Sequence, residues 1–512
     1  MLARVPRMLQ KTRIFLATLV FTSLALFFLD FAQILPQWVG ELTTVQAVPA
    51  LVAANVPVIA ALVVLALVLG RVYCSVLCPL GVLQDVLGWL SRRFARKKKR
   101  FRYTPSRPGV RWAVVAVAVI GPFSGLTVLL SLLEPYSIFG RIATHLFRPV
   151  YIDGNNTLET LFNHFGKYWL YHVDSSPFGL AALATALASL LIVGYLAFRH
   201  GRTYCNTLCP VGTVFGLLGC QPLFGIGIDA AQCTQCGKCE AGCKGLCIDS
   251  RNFAIDSSRC VACMNCLELC PTGALRFSCR LPFIKAPEGK AKEPASPSRR
   301  TFLLGSLAVL PGLLPGVSLA GNDEPAQRQH PVLPPGAGSL ARFSARCTGC
   351  HACLGKCPSR VLKPALLEYG PGGFLQPLMD YSDGFCSYDC TICTHTCPNG
   401  ALRPLSLDAK HHAQLGRVVF VEELCVVRTK GAHCGACAEH CPTQAVKMIP
   451  YANGVTIPSI NPDICVGCGG CEFICPVRPF RAIFVEGLAV QGRRAVIQEE
   501  KRNEAQIDSF GF

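Results

Sequence analysis

At 512 residues the chain is too long for one compact domain, and 51% of its residues are apolar. The apolar residues concentrate before position 200 and again near 301–320, so membrane-embedded segments are expected beside a more polar remainder. The net charge of +18 does not indicate nucleic-acid binding, because ten Lys and Arg residues lie without an acid between Arg92 and Arg111, directly after an apolar region. That pattern is typical of a cytoplasmic membrane flank that contacts anionic lipid, and we expect no nucleic-acid partner.

Cysteine is the most informative residue type in the chain. Of the 31 cysteines, 24 lie in six runs with the spacing C-x2-C-x2-C-x3-C or a slightly altered form of it. Disulfide scaffolds are also rich in cysteine, but their spacing is irregular. Zinc is the alternative for a lone C-x2-C pair, and four close cysteines in repeated runs disfavour it. The spacing is that of thiolates around a cubane cluster and predicts six [4Fe–4S] clusters.

Residues 1–225 predict an all-α membrane domain of four helices. Arg4, Arg7, Lys11 and Arg13 should hold the N-terminus inside. Asn55 indicates an irregular entry into the second span. Residues 134–177 carry few Lys and Arg, and therefore predict an external loop. The four predicted spans are Ile14–Leu35, Leu51–Gly70, Trp112–Leu133 (broken at Gly121-Pro122) and Phe178–Phe198.

A short motif, G-R-x-Y-C-x3-C-P-x-G, follows the second and the fourth predicted span. It runs from Gly70 to Gly81 and again from Gly201 to Gly212, which indicates a duplicated two-helix unit. Each copy places its two cysteines at positions i and i+4 of one helical face, at the cytoplasmic end of a span. A redox-active disulfide, a copper site, an additional iron–sulfur centre and plain packed thiols all remain open. The four cysteines are Cys74, Cys78, Cys205 and Cys209.

Residues 226–280 contain two cysteine runs at short interval and predict a two-cluster ferredoxin domain of α+β fold. In such domains the fourth cysteine of each run binds the cluster of the other run. Cys270 should therefore complete the cluster of the first run, and either Cys243 or Cys247 the cluster of the second. The choice stays open because Lys244 stands where a proline usually follows the fourth cysteine. The two runs are Cys233, Cys236, Cys239 and Cys243, then Cys260, Cys263, Cys266 and Cys270.

Residues 281–345 predict a linker with an internal export signal. Arg299 and Arg300 precede Phe302-Leu303 and a weakly apolar run over about 301–320, the pattern of a twin-arginine (Tat) signal. The alternative is an ordinary helix with a basic flank. Tat fits a cluster protein because it exports folded domains. Cleavage after Ala320 would release the exported domain, and retention would make residues 301–320 a fifth anchor.

Residues 346–512 contain four further runs and predict a four-cluster ferredoxin domain. We expect the outer runs to complete each other's clusters and the inner runs likewise; the alternative pairs first with second and third with fourth. Cys347 to His351 also matches the C-x-x-C-H motif of c-type haem, but it lies wholly inside a cluster run, so no cytochrome is predicted. The ligands are Cys347, Cys350, Cys353, Cys357, then Cys386, Cys390, Cys393, Cys397, then Cys425, Cys434, Cys437, Cys441, and finally Cys465, Cys468, Cys471 and Cys475.

The first 280 residues resemble the NapH/MauN membrane ferredoxin family, which is related to the NosR and CcoG membrane iron–sulfur proteins. The residues that carry this resemblance are Tyr73, Cys74, Cys78 and Pro79 with their repeats Tyr204, Cys205, Cys209 and Pro210. The last 200 residues look like the NapG/MauM four-cluster ferredoxins with a Tat signal. The chain therefore resembles a fusion of the two.

This resemblance implies electron transfer from membrane quinol toward a periplasmic reductase or cytochrome partner, often a nitrate reductase. The chain would be an electron-transfer component, with a possible quinol dehydrogenase activity, rather than a terminal enzyme. It would lie in the bacterial inner membrane, in contact with lipid and the quinone pool. Its two-cluster domain would face the cytoplasm, where a cytoplasmic donor is a second possible electron source, and its four-cluster domain the periplasm.

Quinol gives up protons as well as electrons, so a proton acceptor is needed. Glu134, His145 and His172 are candidates near the outer face. The alternative interpretation of Glu134 is an interfacial residue beside Pro135. The alternative function is a copper-reducing or cofactor-assembly protein of the CcoG type, in which Cys74, Cys78, Cys205 and Cys209 handle the metal.

Overall fold

The computed structural model describes residues 4–94, 101–175, 179–279 and 328–495. The chain divides into two compact units, and the main division falls within the undescribed segment 280–327. Arg299, Arg300 and the apolar run 301–320 lie outside the described residues, so the twin-arginine signal stays a prediction. The two units are treated separately below.

The first unit is helical over its described residues up to Leu218, and no strand precedes Phe224 in that part of the chain. Met8–Leu29 and Leu180–His200 are long and apolar enough to cross a bilayer, whereas Val56–Leu69 and Pro108–Phe123 are apolar but shorter. The α-helices are Arg4–Leu29, Gln37–Thr44, Ala47–Val52, Val56–Leu69, Tyr73–Val76, Pro79–Phe94, Pro108–Phe123, Thr127–Leu133, Pro135–Ile142, Arg148–His164, Leu180–His200 and Pro210–Leu218, with π-helical turns at Ala143–Phe147 and Tyr204–Leu208.

The breaks in these helices follow local sequence signals. Asn55 caps the helix Val56–Leu69, its side-chain oxygen accepting a hydrogen bond from the Val58 amide at 3.4 Å. The predicted break after Pro122 lies at Phe123, where one helix ends before the next begins at Thr127. The first glycine of each repeated motif ends an apolar helix: Gly70 and Gly201 follow Leu69 and His200 with φ of +69° and +60°. The duplicated motif therefore begins with a helix stop in both copies.

The segment 134–177, predicted as an external loop, is largely helical in its described residues, and its position outside the membrane stays a prediction. Most of this segment forms the helices Pro135–Ile142 and Arg148–His164, joined by the π-helical turn Ala143–Phe147. Every residue from Pro135 to His145 is buried. A low content of Lys and Arg does not distinguish a loop from a helix packed inside the protein, and the apolar side chains of Tyr136, Phe139 and Ile142 are those of a core.

The first unit ends in a small α+β domain, residues 224–279. Its outer strands Phe224–Ile228 and Leu275–Cys279 pair antiparallel, with Phe224 opposite Cys279. A second, shorter pair joins Ile248–Asp249 and Ala254–Ile255. The short helices Lys238–Ala241 and Asn265–Leu269 each contain the third cysteine of a run, Cys239 and Cys266. This agrees with the predicted α+β ferredoxin-like arrangement of two halves.

The second unit is built from short helices and three antiparallel strand pairs. Its longest pair joins Ala413–Phe420 to Ile483–Arg493, with a register shift between Gly487 and Gly492. The other pairs are Leu362–Pro364 with Pro377–Met379 and Val446–Pro450 with Thr456–Ile460. The α-helices are Leu340–Arg346, Ala352–Lys356, Ile392–Thr396, Leu407–His412, Val426–Lys430, Ala436–Glu439 and Gly470–Ile474, with 3-10 turns at Pro371–Gly373, Glu422–Leu424 and Ala452–Gly454.

The predicted linker does not extend to residue 345. Val332 and Leu333 are buried, and the Gln491 side chain donates to the carbonyls of Leu333 and Pro334. Arg328 forms an ion pair with Glu472 at 2.6 Å. Residues 328–345 therefore belong to the folded second unit; their Pro and Gly content reflects turns within a domain rather than a free linker.

Candidate functional site

The small α+β domain encloses two cysteine-lined cavities. One is lined by Cys233, Cys236, Cys239 and Cys270, the set that the crossed pairing predicts. The last cysteine reaches this cavity because the antiparallel pairing of the outer strands returns the end of the domain to its beginning. Four thiols with a space between them fit the ligand set of a cubane cluster.

The second cavity of this domain is lined by five cysteines: Cys243, Cys247, Cys260, Cys263 and Cys266. Both candidates for the fourth ligand are therefore present, and their sulfur atoms lie 3.5 Å apart. A hydrogen bond from Cys247 lowers the pKa of the Cys243 thiol to about 6 and raises that of Cys247 well above its usual value. The structure therefore places both thiols at the site.

In the second unit the third and fourth runs share their cavities with each other. Cys475 lines a cavity with Cys425, Cys434 and Cys437. A second cavity is lined by Cys441, Cys465, Cys468 and Cys471. The expected pairing of outer with outer runs is therefore wrong, and the alternative, third with fourth, is correct.

The first two runs of the second unit are also paired with each other. Cys357, the last cysteine of the first run, lies close enough to Cys386 and Cys393 of the second run for their charges to interact. The physical reason is local folding. The hairpin Val446–Pro450 with Thr456–Ile460 lies between the third and fourth runs and brings them together, so each adjacent pair of runs folds as one two-cluster module.

The backbone around the fourth run fits a bound group closely. Gly467 and Gly469 separate the ligand cysteines with φ of +72° and +81°, a conformation that glycine adopts readily. A Cβ at Gly469 would overlap the ring of Tyr381, and one at Gly467 would overlap the Gly416 backbone. The Tyr381 hydroxyl donates a 2.6 Å hydrogen bond to the Gly467 carbonyl. These contacts hold the loop that presents Cys465 and Cys468.

The repeated membrane motif brings its four cysteines together. Cys209 lies close enough to Cys205, Cys74 and Cys78 for their charges to interact, and all four thiols are buried. The last glycine of each motif permits this approach: a Cβ at Gly81 would overlap the Cys74 carbonyl, and one at Gly212 the Cys205 carbonyl. The structure therefore brings the two repeats together at these cysteines.

Asp85, which the sequence analysis did not identify as a functional residue, joins the helices to the small α+β domain. Asp85 Oδ2 lies 2.9 Å from Arg202 Nη2, 3.2 Å from Lys244 Nζ and 3.5 Å from Arg13 Nη1. The signal was available, since Asp85 is the sole acid between Glu41 and Glu134 in a strongly basic stretch. Lys244, at the position where proline was expected, serves this contact.

The three candidate proton acceptors lie in different surroundings. The Glu134 side chain caps the helix Pro135–Ile142, accepting from the amides of Tyr136 and Ser137, and this accounts for its burial. His145 is buried in the π-helical turn. His172 has an exposed side chain 3.9 Å from Glu159. Glu134 therefore has a capping role, and its interfacial position and the proton-acceptor role of all three residues stay predictions.

The C-x-x-C-H motif that ends at His351 is not arranged to hold a haem iron. His351 Nε2 is hydrogen-bonded to the Leu375 carbonyl at 2.8 Å, which occupies the nitrogen a haem iron would need. Among the residues that the structure describes, no three His, Cys, Asp or Glu side chains are close enough together to hold a single metal ion. Four of the cysteine sets instead line cavities.

Three family profiles match the chain. The profile described as "4Fe-4S binding domain" matches residues 55–98 and 180–226, which hold the two repeated motifs. A second profile with the same description matches residues 253–276. The "4Fe-4S dicluster domain" matches residues 430–478, which hold most of the third and fourth runs. No solved structure matches the chain.

Several curated proteins resemble different parts of the chain. The methylamine utilization ferredoxin-type protein MauM of Methylophilus methylotrophus is 31% identical over 40% of this chain and 96% of its own length. The ferredoxin-type protein NapG of Escherichia coli is 30% identical over 35% of this chain and 80% of its own length. YccM of Escherichia coli is 26% identical over 46% of this chain, and the chain spans 58% of the length of that relative.

Proposed function

Because the chain belongs to the family of ferredoxin-type proteins that includes MauM and NapG, we propose that it is a membrane-bound polyferredoxin that relays electrons from the quinol pool, or from a cytoplasmic donor, to a periplasmic reductase such as a nitrate reductase. In this proposal the first unit corresponds to a NapH/MauN-type protein related to NosR and CcoG, and the second to a NapG/MauM-type protein. The described helices Met8–Leu29 and Leu180–His200 would anchor the first unit in the inner membrane.

The observation that carries the proposal is the presence of separate cysteine-lined cavities in both units. Each cavity is lined by cysteines from two different runs, which is how two-cluster ferredoxins hold their cofactors. Apolar side chains close the cavities around the thiols, as Val418 and Val485 do beside Cys465. A dry, thiol-lined site suits a [4Fe–4S] cluster, which when bound supplies one-electron transfer.

We propose six such clusters, held by the 24 cysteines of the six runs. In the small α+β domain Cys270 completes one set, and Cys243 completes the other, with Cys247 as the alternative. In the second unit Cys475 completes the set of the third run, and Cys441 completes the set of the fourth run. Cys357 joins the second run, which leaves Cys397 to complete the set of Cys347, Cys350 and Cys353.

The contact between the helices and the small α+β domain supports an electron path from the membrane. Asp85 and Arg202 belong to the helical part, and they bind Lys244, the residue next to Cys243. The Arg71 guanidinium donates to the carbonyl of Ser258, two residues before Cys260. Electrons from a donor that is oxidised among the helices would therefore reach a cysteine-lined cavity directly, with no mobile carrier between the two.

A direct test uses the full-length chain purified without oxygen and placed in liposomes with a reduced quinone. The proposal expects the visible absorption of the oxidised clusters to bleach when quinol is added, and to recover with an external oxidant. A variant lacking the third-run ligands, Cys434→Ser with Cys437→Ser, should still bleach but to a smaller extent. Absence of bleaching with quinol, while dithionite still bleaches the clusters, would contradict the quinol pool as electron source.

A second candidate function is supported by one observation, the convergence of Cys74, Cys78, Cys205 and Cys209. Such a thiol set could reduce or carry copper in a CcoG-type protein while the clusters supply electrons. The discriminating measurement is copper binding by the chain with its clusters intact. Stoichiometric copper that is lost with Cys74→Ser and Cys205→Ser would favour this function, and cluster-dependent electron transfer without copper would favour the relay.

A further inference from the structure

The two cluster modules of the second unit are joined by a backbone hydrogen bond between two cysteines. Cys386 is the first cysteine of the second run, and Cys468 is the second cysteine of the fourth run. The amide of Cys386 donates to the carbonyl of Cys468 at 2.9 Å. Both residues are buried. A ligand position of one module therefore lies directly against a ligand position of the other.

Two further contacts on either side hold this junction together. The Tyr381 hydroxyl donates to the Gly467 carbonyl at 2.6 Å, and Tyr381 itself is fully buried. The rings of Phe385 and Phe473 pack with their centroids 5.8 Å apart. The segment that leads into the second run is thus bound along the loop of the fourth run. Buried aromatic rings flank the hydrogen bond and keep water from it.

A buried lysine belongs to the same junction. Lys410 lies on the helix Leu407–His412 and is only 1% exposed. It forms no ion pair with a carboxylate within the part of the chain that the structure describes. Its charge interacts with the thiols of Cys386 and Cys393 in one module and of Cys468 in the other. A buried ammonium without a carboxylate is costly, so negative charge is expected on the cysteine side.

The helix that carries this lysine is fixed to both modules. The His411 side chain lies 2.7 Å from Asp389 Oδ1 and stacks on Tyr388, two residues within the second run. In the strand that follows the helix, the Leu415 amide donates to the Val466 carbonyl of the fourth run at 3.0 Å. The lysine is therefore held between the two runs by contacts on each side of it.

We propose that electrons pass between the two modules at the contact of Cys386 with Cys468, and that Lys410 raises the reduction potentials of the two centres that meet there. The inference rests on the proposed function and deepens it, because it gives the order of the four centres: third run, fourth run, second run, first run. Each step moves one electron, so one centre is oxidised as its neighbour is reduced, and no bond or proton changes place.

The role of the lysine follows from charge. The reduction potential of a cluster depends on the net charge around it and on its burial. A fixed positive charge favours the reduced state, which carries one more negative charge, and this effect is strong where water is excluded. Because Lys410 acts on thiols of both runs, it keeps the two adjacent centres reducible together, as a step between them requires.

The order of the centres can be tested by electron paramagnetic resonance of the full-length chain, purified without oxygen and reduced with dithionite. Neighbouring reduced clusters broaden each other's signals. Loss of the fourth-run centre should narrow the second-run signal, and loss of the third-run centre should leave its width unchanged. The opposite pattern, or one width in all proteins, would overturn the inference. Three double variants each remove one centre: Cys390→Ser/Cys393→Ser identifies the second-run signal, Cys468→Ser/Cys471→Ser removes the fourth-run centre and Cys434→Ser/Cys437→Ser the third-run centre.

A redox titration tests the lysine without removing any ligand. Lys410→Met should lower the midpoint potentials of the second-run and fourth-run signals, and Lys410→Arg should restore most of the difference. Lys447→Met is the matched control, because Lys447 is exposed on the strand Val446–Pro450, and it should leave all potentials unchanged. Native potentials in Lys410→Met at full iron content would overturn the role of the lysine. If the native chain itself lacks the iron of the six runs, the proposed function fails instead.

Discussion

Lys244 Nζ lies 3.2 Å from Asp85 Oδ2, and this ion pair joins the small α+β domain to the helix Pro79–Phe94. Asp85 also accepts from Arg202, and both its oxygens are largely buried among three cations. The carboxylate therefore balances the charge at the place where the cysteine-lined domain meets the helices.

Removing that carboxylate should release the small α+β domain. Asp85→Asn leaves Arg202, Lys244 and Arg13 without a counter-ion, and we expect a loss of about 3–5 kcal/mol in the stability of this contact. Hydrogen exchange of residues 224–279 in detergent should become faster. Asp153→Asn, an exposed acid on the helix Arg148–His164, is the control and should leave exchange unchanged. Equal exchange in both variants would show that the ion pair does not hold the domain.

The pairing of the third and fourth runs can be tested by double substitution. If Cys475 and Cys434 bind one cluster, the double variant Cys475→Ser/Cys434→Ser should lose about four iron atoms, no more than either single variant. Cys475→Ser/Cys350→Ser should lose about eight, because the two cysteines would belong to different clusters. Iron analysis of the four variants distinguishes the pairings. The reverse pattern would restore the outer-with-outer pairing.

Gly469 is expected to be essential for the fourth run. Gly469→Ala adds a Cβ that would overlap Tyr381 at a φ of +81°, so both packing and backbone are affected. We expect a loss of more than about 2 kcal/mol and a weakened cluster site. Gly454→Ala is the matched control, since Gly454 has a φ of +78° but open space around it. It should cost only the backbone strain, about 1–2 kcal/mol. Denaturant unfolding measures both, and equal losses would refute the packing argument.

An ion pair in the second unit should give a defined pH dependence. Burial alone would raise the pKa of Asp380, but hydrogen bonds from Ser382 and the charge of Lys363 lower it below its usual value. Lys363 Nζ lies 3.1 Å from Asp380 Oδ2. A carboxylate with a lowered folded-state pKa stabilises the fold above its unfolded pKa of about 3.9, and the gain is lost as pH falls through the folded value.

The variant Asp380→Asn should therefore be less stable than the native chain at neutral pH, and the difference should vanish in acid. The side chain is 35% exposed, so we expect at most about 1 kcal/mol. The free energy of unfolding of both proteins is measured as a function of pH. The difference between them isolates the contribution of Asp380, because the other titrating groups are the same in both. Asp383→Asn, whose side chain is 74% exposed, should show a smaller effect. A difference that does not shrink as the pH falls through the acid range would contradict the argument.

The cysteine spacing allowed most of the site to be predicted, because cluster ligands are local in sequence. The set Cys233, Cys236, Cys239 and Cys270 followed from the spacing of the cysteines. In the second unit, the spacing did not predict which cluster the last cysteine of each run binds. It depends on how neighbouring runs fold together, and spacing is the same for every order of pairing.

The limits in the helical region have another origin. Charge and hydropathy located the apolar helices, but they could not distinguish a loop from the buried helix Pro135–Ile142. They also gave no role to Asp85, because its partners Arg202 and Lys244 are more than a hundred residues away in sequence. Contacts of this kind become visible only in the tertiary structure.

The most direct test of the central claim, a relay that crosses the membrane, is the location of the second unit. A reporter fused after Phe512 can be compared in the native chain and in the variant Arg299→Lys/Arg300→Lys. The account predicts a periplasmic reporter in the native chain and loss of exposure in the variant, because twin arginines direct export of the folded domain. A reporter that stays cytoplasmic in both would place all clusters on one side and contradict the transfer of electrons to a periplasmic reductase.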